Sequence, residues 1–439
     1  MLNKIFTAGI YTLGCKVNQY ESQAIAEELS RNGFSILPPT DMCDVYIINT
    51  CTVTAESDRK ACQFIRRAIQ KNPLAYVLVC GCMAQVSHER ICAISGVDYV
   101  CGNTDKLSVA RAALKLIRQG EKNKDVEVEI NDINSSAFEA MAITEFERTR
   151  AYVKIEDGCE SRCTYCIIPS ARGKIRSKAP DDVISEVKKL TEGGCREVVL
   201  TGIETASYGK DLDNIDLAEL LARVDKIEGI GRVRLGSLDP SLITESFVER
   251  ISSLSSLAPH FHLSLQSGSS RVLALMKRKY NADMAMRGIE LLRKKIPNVQ
   301  FTTDIIVGFP GESDEDFDQT VEFAKKARFL MMHIFPYSKR NGTPAAQMPN
   351  QVPGEIKRRR AFELSCAAKE IRCSVLEDYI SSKSRCRVLF ETYSNGTAFG
   401  HTEEFIEVAV PCDAPIHSEF RDVLLKSTNG ELCFGELLD

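Results

Sequence analysis

Cys159, Cys163 and Cys166 form a Cys-x3-Cys-x2-Cys run, GCESRCTYC, directly after a short β-like stretch. Three thiolates at this spacing can hold three irons of a 4Fe-4S cluster and leave the fourth iron without a protein ligand, open to a substrate. Zinc is the competing reading, but structural zinc normally takes four ligands, and no fourth Cys or His adjoins the run. Three further cysteines each follow a β-like run: Ala8 to Leu13 leads to Gly14-Cys15, Val45 to Asn49 to Thr50-Cys51, and Tyr76 to Cys80 to Gly81-Cys82. Taken alone, Cys15, Cys51 and Cys82 either ligate a metal group or pack strand ends.

The elements that must position these residues follow from the pattern of apolar runs. Residues 1–120 alternate β-like and helical stretches, which predicts parallel βαβ units in an open α/β sheet. Ligands of such sheets bind outside the carboxyl ends of the strands, so Cys15, Cys51 and Cys82 are expected to face one another. Residues 121–149 are charged and weakly periodic and read as a linker with room for an edge strand. Residues 150–354 hold six β-like runs separated by helical stretches, starting at Tyr152, Glu197, Arg232, His260, Gln300 and Phe329. This predicts a partial (βα)6 barrel with its functional loops at the carboxyl ends of the strands. A basic amphipathic helix, 355–375, is expected to connect the barrel to residues 376–439, where turn signals at Asn395-Gly396 and Asn429-Gly430 predict a small antiparallel β-domain.

Composition bounds the rest. With 439 residues, 44% hydrophobic and 26% charged, the chain reads as a multidomain globular protein. It has no apolar run of the ~18 residues a membrane span requires, and its amino terminus lacks a signal-peptide pattern, so a cytoplasmic protein is expected. Seventeen cysteines in a reducing compartment favour ligation or catalysis over disulfides. Cys43, Cys62, Cys92, Cys101, Cys195, Cys366, Cys373, Cys386, Cys412 and Cys433 show no ligand spacing and read as small hydrophobes. The net charge of -4 conceals an acidic tail beyond residue 375 and basic clusters before it: Arg172 to Lys178, Lys277 to Lys279, Arg293 to Lys295 and Lys357 to Arg360. Such clusters can neutralise nucleic-acid phosphates, although solvated helix faces are commoner.

With the aromatic Tyr165 before its last cysteine, the triplet resembles the signature of the radical S-adenosylmethionine (SAM) enzymes. The segments TLGCKVNQYES, NTCTV and GCMAQ resemble the amino-terminal domain of one family among them, the methylthiotransferases. The resemblance spans essentially the whole chain and implies two 4Fe-4S clusters, one on Cys159, Cys163 and Cys166 and one on Cys15, Cys51 and Cys82. Cys82 is preferred over its neighbour Cys80 because it carries the GC-x-AQ context. SAM chelated to the open iron would be cleaved reductively to a 5'-deoxyadenosyl radical, while a second SAM methylates sulfur held at the other cluster. Tyr165, Thr201, Gly202, Ser237, Gln266 and Asp304, at or near strand ends, are the expected SAM contacts.

Lys16-Val17-Asn18 and FPYSKRNGTPAA resemble the members that methylthiolate threonylcarbamoyladenosine beside the tRNA anticodon. Isopentenyladenosine in tRNA and a ribosomal-protein aspartate are the alternatives within the family. The implied partners are tRNA, a reducing electron donor such as flavodoxin or ferredoxin, and a sulfur source, with no membrane. The tail aligns with the family's RNA-binding TRAM domain, but its acidity moves the expected phosphate contacts to Lys357–Arg360 and the barrel rim. Outside the family, a non-catalytic iron-sulfur RNA-binding protein or a zinc-stabilised tRNA-binding module is the rival.

Overall fold

In the computed structural model, residues 5–146 and 149–438 are described. Residues 1–4 of the expected first domain, residues 147–148 of the expected linker and Asp439 of the tail lie outside them. The first domain is an open sheet of β1 (Thr7–Thr12), β2 (Ser35–Leu37), β3 (Val45–Thr50), β4 (Tyr76–Gly81), β5 (Tyr99–Cys101) and β6 (Glu127–Glu129). They pair in parallel in the order β2-β1-β3-β4-β5-β6. Helices α1 (Lys16–Arg31), α2 (Ala55–Lys71), α3 (Cys82–Cys92) and α4 (Ser108–Gln119) connect them. The central strands VYIINT and YVLVCG are buried along their whole length, as continuous apolar runs covered on both faces must be. β6 is the edge strand within the expected linker.

The second domain begins with β7 (Arg150–Lys154) and the short antiparallel pair β8 (Glu156–Asp157) and β9 (Arg176–Ser177), with α5 (Ile168–Arg172) between them. Then follow α6 (Pro180–Glu192), β10 (Glu197–Thr201), α7 (Leu217–Val224), β11 (Arg232–Leu235), β12 (Ser237–Leu238), α8 (Glu245–Ile251), β13 (His260–Gln266), α9 (Ser270–Leu275), α10 (Ala282–Lys295), β14 (Gln300–Val307), α11 (Asp314–Ala327) and β15 (Met331–Pro336). The strands pair in parallel as β7-β10-β11 and β12-β13-β14-β15, interrupted at Gly236. Every expected barrel run is therefore a strand of a partial barrel, and no pairing joins β15 back to β7 among the described residues.

The connecting helix α12 (Gly354–Ser382) runs past residue 375. Its apolar stripe continues through buried Val375, Leu376 and Tyr379, which carries the helix under the last domain. There β16 (Arg385–Ser394), β17 (Thr397–His401), β18 (Glu407–Pro411), β19 (Phe420–Thr428) and β20 (Cys433–Leu438) close a barrel in the order β16-β17-β18-β20-β19. The expected antiparallel pairing holds except at one parallel seam between β18 and β20.

This small barrel is docked under the amino ends of the larger one. Glu197 accepts from Arg150 (2.9 Å), Arg232 (3.0 Å) and Arg234 (2.8 Å). Arg234 also donates to the carbonyls of Thr402 and Glu403, both at 2.7 Å. Phe405 stacks between His260 and His401, its ring centroid 4.7 Å from each, with the Arg150 and Arg234 guanidiniums over the same ring.

Burial alone would raise the Glu197 carboxyl, but Arg234, Arg150 and Arg232 together hold it at about 2. A depressed carboxylate stabilises the fold fully above its unfolded value and loses that contribution as pH falls towards the folded one. Glu197→Gln is therefore expected to cost on the order of 2–3 kcal/mol at neutral pH. Urea unfolding of both proteins should show the difference shrinking as pH drops from about 4 towards about 2; a difference independent of pH would disprove the assignment.

Candidate active site

The first cysteine triad is built on the loop after β8. Gly158 holds φ +87°, and a Cβ there would stand 1.9 Å from the Lys174 carbonyl oxygen, so glycine is required where the loop passes under its neighbour. The Cys159 amide donates to the Gly173 carbonyl (2.9 Å) and the Thr164 amide to the Met276 carbonyl (3.1 Å), tying both sides of the loop to the barrel. The Cys159 thiol lies 3.2 Å from a Glu204 carboxylate oxygen, whose other oxygen accepts from Ser161 (2.8 Å). Arg278 donates to the Cys163 sulfur at 3.2 Å and to Asp239 at 2.7 Å. Tyr165 packs edge-on against Phe309, centroids 6.4 Å apart. Burial pushes the Cys159 thiol up, helped by Glu204, and pushes Cys166 up to about 11. Without metal these thiols keep their protons, and ligation releases them.

The second triad lies at the carboxyl end of the first sheet. Cys15 caps α1, Cys51 follows β3, and Cys82 opens α3. Two of the three therefore sit at helix amino termini, where backbone N–H groups favour thiolate charge. Gly14 and Gly81 permit the convergence: a Cβ on Gly14 would stand 3.1 Å from the Cys51 sulfur, and one on Gly81 2.5 Å from the Thr50 carbonyl oxygen. Desolvation in the crevice raises the Cys15 and Cys51 thiols, Cys51 to about 11, and both feel the charge of Cys82. The Cys82 sulfur faces Arg172 Nε (3.2 Å) and Asn103 Nδ2 (3.6 Å). Cys80 is fully buried within β4.

Among the described residues, no three His, Cys, Asp or Glu side chains converge as they would around a single metal ion. Each triad nevertheless offers three thiols on glycine-shaped backbone with a guanidinium on one sulfur, a donor set that fits a polynuclear iron-sulfur group.

The two triads are tied together on both flanks. Arg172, on α5 just beyond Cys166, reaches Cys82. On the other flank, Arg340 donates to Asp58 (2.8 Å) and to the hydroxyl of Thr52 (2.7 Å), next to Cys51. The same segment returns to the first triad through the Ala345 amide on the Thr164 carbonyl (2.8 Å).

The remaining sequence-derived positions lie on the barrel strands or at their ends, Asp304 within β14. Thr201 ends β10 and is buried; a Cβ on Gly202 would stand 2.5 Å from Glu156 Oε2. Ser237 opens β12, and its carbonyl accepts from Thr205 (2.6 Å). Gln266 ends β13 with φ +70°. Asp304 on β14 pairs with His262 Nε2 (3.1 Å).

Of the four basic clusters, Lys277 to Lys279 and Arg293 to Lys295 keep most of their side chains exposed, whereas the other two are largely built into the fold. Arg172, Arg176 and Lys178 are buried, and only Lys174 of that group is exposed. Arg360 is buried on Glu312 (2.6 Å), and Lys357 donates to the Tyr337 carbonyl (3.1 Å). Within 357–360 this leaves Arg358 and Arg359 to the solvent side. Glu204, Arg278, Arg340 and Arg172 as a neighbour of sulfur were not read from the sequence. Their proximity to cysteines in the chain, or to the strand-end motifs, was the available signal.

The sequence profile described as the Radical SAM superfamily matches residues 153–324, and that of Uncharacterized protein family UPF0004 matches residues 7–102. The chain is 38% identical to the threonylcarbamoyladenosine tRNA methylthiotransferase MtaB of Bacillus subtilis (strain 168), covering 92% of this chain and 90% of that protein. The chain belongs to the radical SAM methylthiotransferases. It is also 36% identical to the MtaB of Aquifex aeolicus (strain VF5), over 89% of this chain and 96% of that one. It is 33% identical to the tRNA-2-methylthio-N(6)-dimethylallyladenosine synthase of Caldicellulosiruptor saccharolyticus, over 98% and 92%. The solved structure of the radical SAM methyltransferase TsrM from Kitasatospora setae shares the fold at a TM-score of 0.56 and 14% identity, covering 78% of this chain and 77% of that one. As a radical SAM methylthiotransferase, the protein works with SAM and two 4Fe-4S clusters. Among the described residues no helix is long and apolar enough to cross a membrane.

Proposed function

We propose that this chain attaches a methylthio group to carbon 2 of N6-threonylcarbamoyladenosine beside the anticodon of tRNA, in the cytoplasm, drawing electrons from flavodoxin or ferredoxin and sulfur from a separate source. Residues 1–120 and 150–354 each contribute one cluster site, 121–149 link them, and 355–375 lead to the TRAM-like domain, 376–439. The observation that carries this reading is the linking of two three-cysteine sites through Arg172 and Arg340, in a chain similar to MtaB proteins over most of its length.

Cys159, Cys163 and Cys166 hold the cluster that supplies reductive cleavage of SAM, and Cys15, Cys51 and Cys82 hold the one that presents sulfur. Tyr165 packs with Phe309 beside the first triad. Tyr165, Thr201, Gly202, Ser237, Gln266 and Asp304 bind and orient SAM at the strand ends.

Lys16 supports the choice of nucleoside. It follows Cys15 directly and has no hydrogen-bond or ion-pair partner among the described residues. Its ammonium lies within electrostatic range of Arg150, Arg234 and Asp304. The threonylcarbamoyl carboxylate is an anion that this unpaired ammonium can receive.

The test is mass spectrometry of nucleosides from tRNA lacking methylthio groups, incubated anaerobically with reconstituted enzyme, SAM, sulfide and reductant. The 2-methylthio derivative of threonylcarbamoyladenosine is expected. Product only on dimethylallyladenosine would shift the reading to the other tRNA substrate, and SAM cleavage with no modified nucleoside would overturn tRNA as the substrate.

A further inference from the structure

Arg172 is fully buried and enters the first domain from the second. Its Nε points at the Cys82 sulfur (3.2 Å), Nη2 donates to Asn18 (2.6 Å), and Nη1 pairs with Glu21 and with Asp157 (3.1 Å). Glu21 also receives Lys106 and Lys154, both at 2.8 Å, and Lys154 pairs with Asp157 at 2.6 Å. The dry cluster thus holds three cations, Arg172, Lys106 and Lys154, against the carboxylates of Glu21 and Asp157, and Arg176 adds a fourth cation 3.5 Å from Asp157. The nearby carboxyls of Glu139 and Glu156 accept from backbone amides, those of Lys106 and Leu107 and that of Glu204, and among the described residues neither forms an ion pair with these cations. A buried excess of positive charge requires an anion, and the sulfur of Cys82 is the group at which the guanidinium is aimed.

The first triad is arranged otherwise. Arg278 reaches Cys163, but the Glu204 carboxylate stands against Cys159. N–H···S hydrogen bonds and buried cations stabilise the more negative, reduced state of an iron-sulfur group, and a carboxylate opposes it.

We propose that Arg172 is a positioning residue that raises the reduction potential of the cluster on Cys15, Cys51 and Cys82, with Asn103 as a weaker second donor to the same sulfur. This rests on the assignment of those cysteines as cluster ligands. Because α5 starts just after Cys166 and ends at Arg172, the loop that carries one triad also sets the electrostatics of the other.

The experiment is anaerobic potentiometric titration, followed by electron paramagnetic resonance, of the full chain carrying Cys159→Ala, Cys163→Ala and Cys166→Ala, so that only the second cluster contributes. Arg172→Gln is expected to lower the midpoint potential enough to cut the reduced-to-oxidised ratio at fixed potential at least tenfold, about 59 mV for a one-electron couple. Arg172→Lys should fall between, and Asn103→Ala should shift the potential less in the same direction. An unchanged potential in Arg172→Gln at full iron content overturns the proposal. If that variant loses its fold or iron, unchanged potentials in both Arg172→Lys and Asn103→Ala overturn it equally. Absence of any 4Fe-4S signal with Arg172 intact would instead reject the ligand assignment.

Discussion

Replacing Cys159, Cys163 and Cys166 together by Ala is expected to abolish cleavage of SAM to 5'-deoxyadenosine while lowering bound iron from about eight to about four per chain. The loop around these cysteines is held by its own backbone, through Gly158, the Cys159 amide and the Thr164 amide, so removing the sulfurs leaves the scaffold standing. The matching change at Cys15, Cys51 and Cys82 should remove the other four irons or so and spare deoxyadenosine formation, because the proposed site of SAM cleavage is left intact. Iron, sulfide and zinc analysis beside a deoxyadenosine assay reads both. Zinc in place of iron, or deoxyadenosine surviving loss of the first triad, would refute the assignment.

Glu21→Gln is expected to destabilise the protein by roughly 3–5 kcal/mol, the cost of leaving buried charge unpaired. Burial would raise this carboxyl, yet Arg172, Lys106 and Lys154 outweigh it and hold it well below the usual carboxylate range. Glutamine keeps the shape and removes the charge that all three cations share, with no water to replace it. Because Lys154 and Arg172 belong to the second domain and Lys106 to the first, the loss falls on the contact between them. Chemical denaturation should show a lowered midpoint, and limited proteolysis should cut between the domains sooner. Stability within about 0.5 kcal/mol of the parent, the usual range for a surface substitution, would mean that the charges are solvated.

What the sequence made legible was whatever repeats with the period of a strand or helix or sits at a strand's carboxyl end. Buried parallel strands such as VYIINT read as uninterrupted apolar runs, and the cysteines after them inherit their place from the sheet. Charged side chains were another matter. Arg172, Arg278 and Arg360 are written in clusters that resemble phosphate-binding patches, yet each is buried against a carboxylate contributed from far along the chain. No local pattern announces such a partner, because the pairing exists only once separate elements pack. The length of α12 escaped for a related reason: Val375, Leu376 and Tyr379 extend its buried face beyond the point where the basic stretch ends. The parallel seam between β18 and β20 follows from closing the small barrel, which no turn signal encodes.

Phe405, wedged beneath the amino ends of β7, β11 and β13, acts as a stopper shared by the two barrels. The amino-end face is thereby committed to holding the two barrels together, and the cysteine triads are left to the opposite rim.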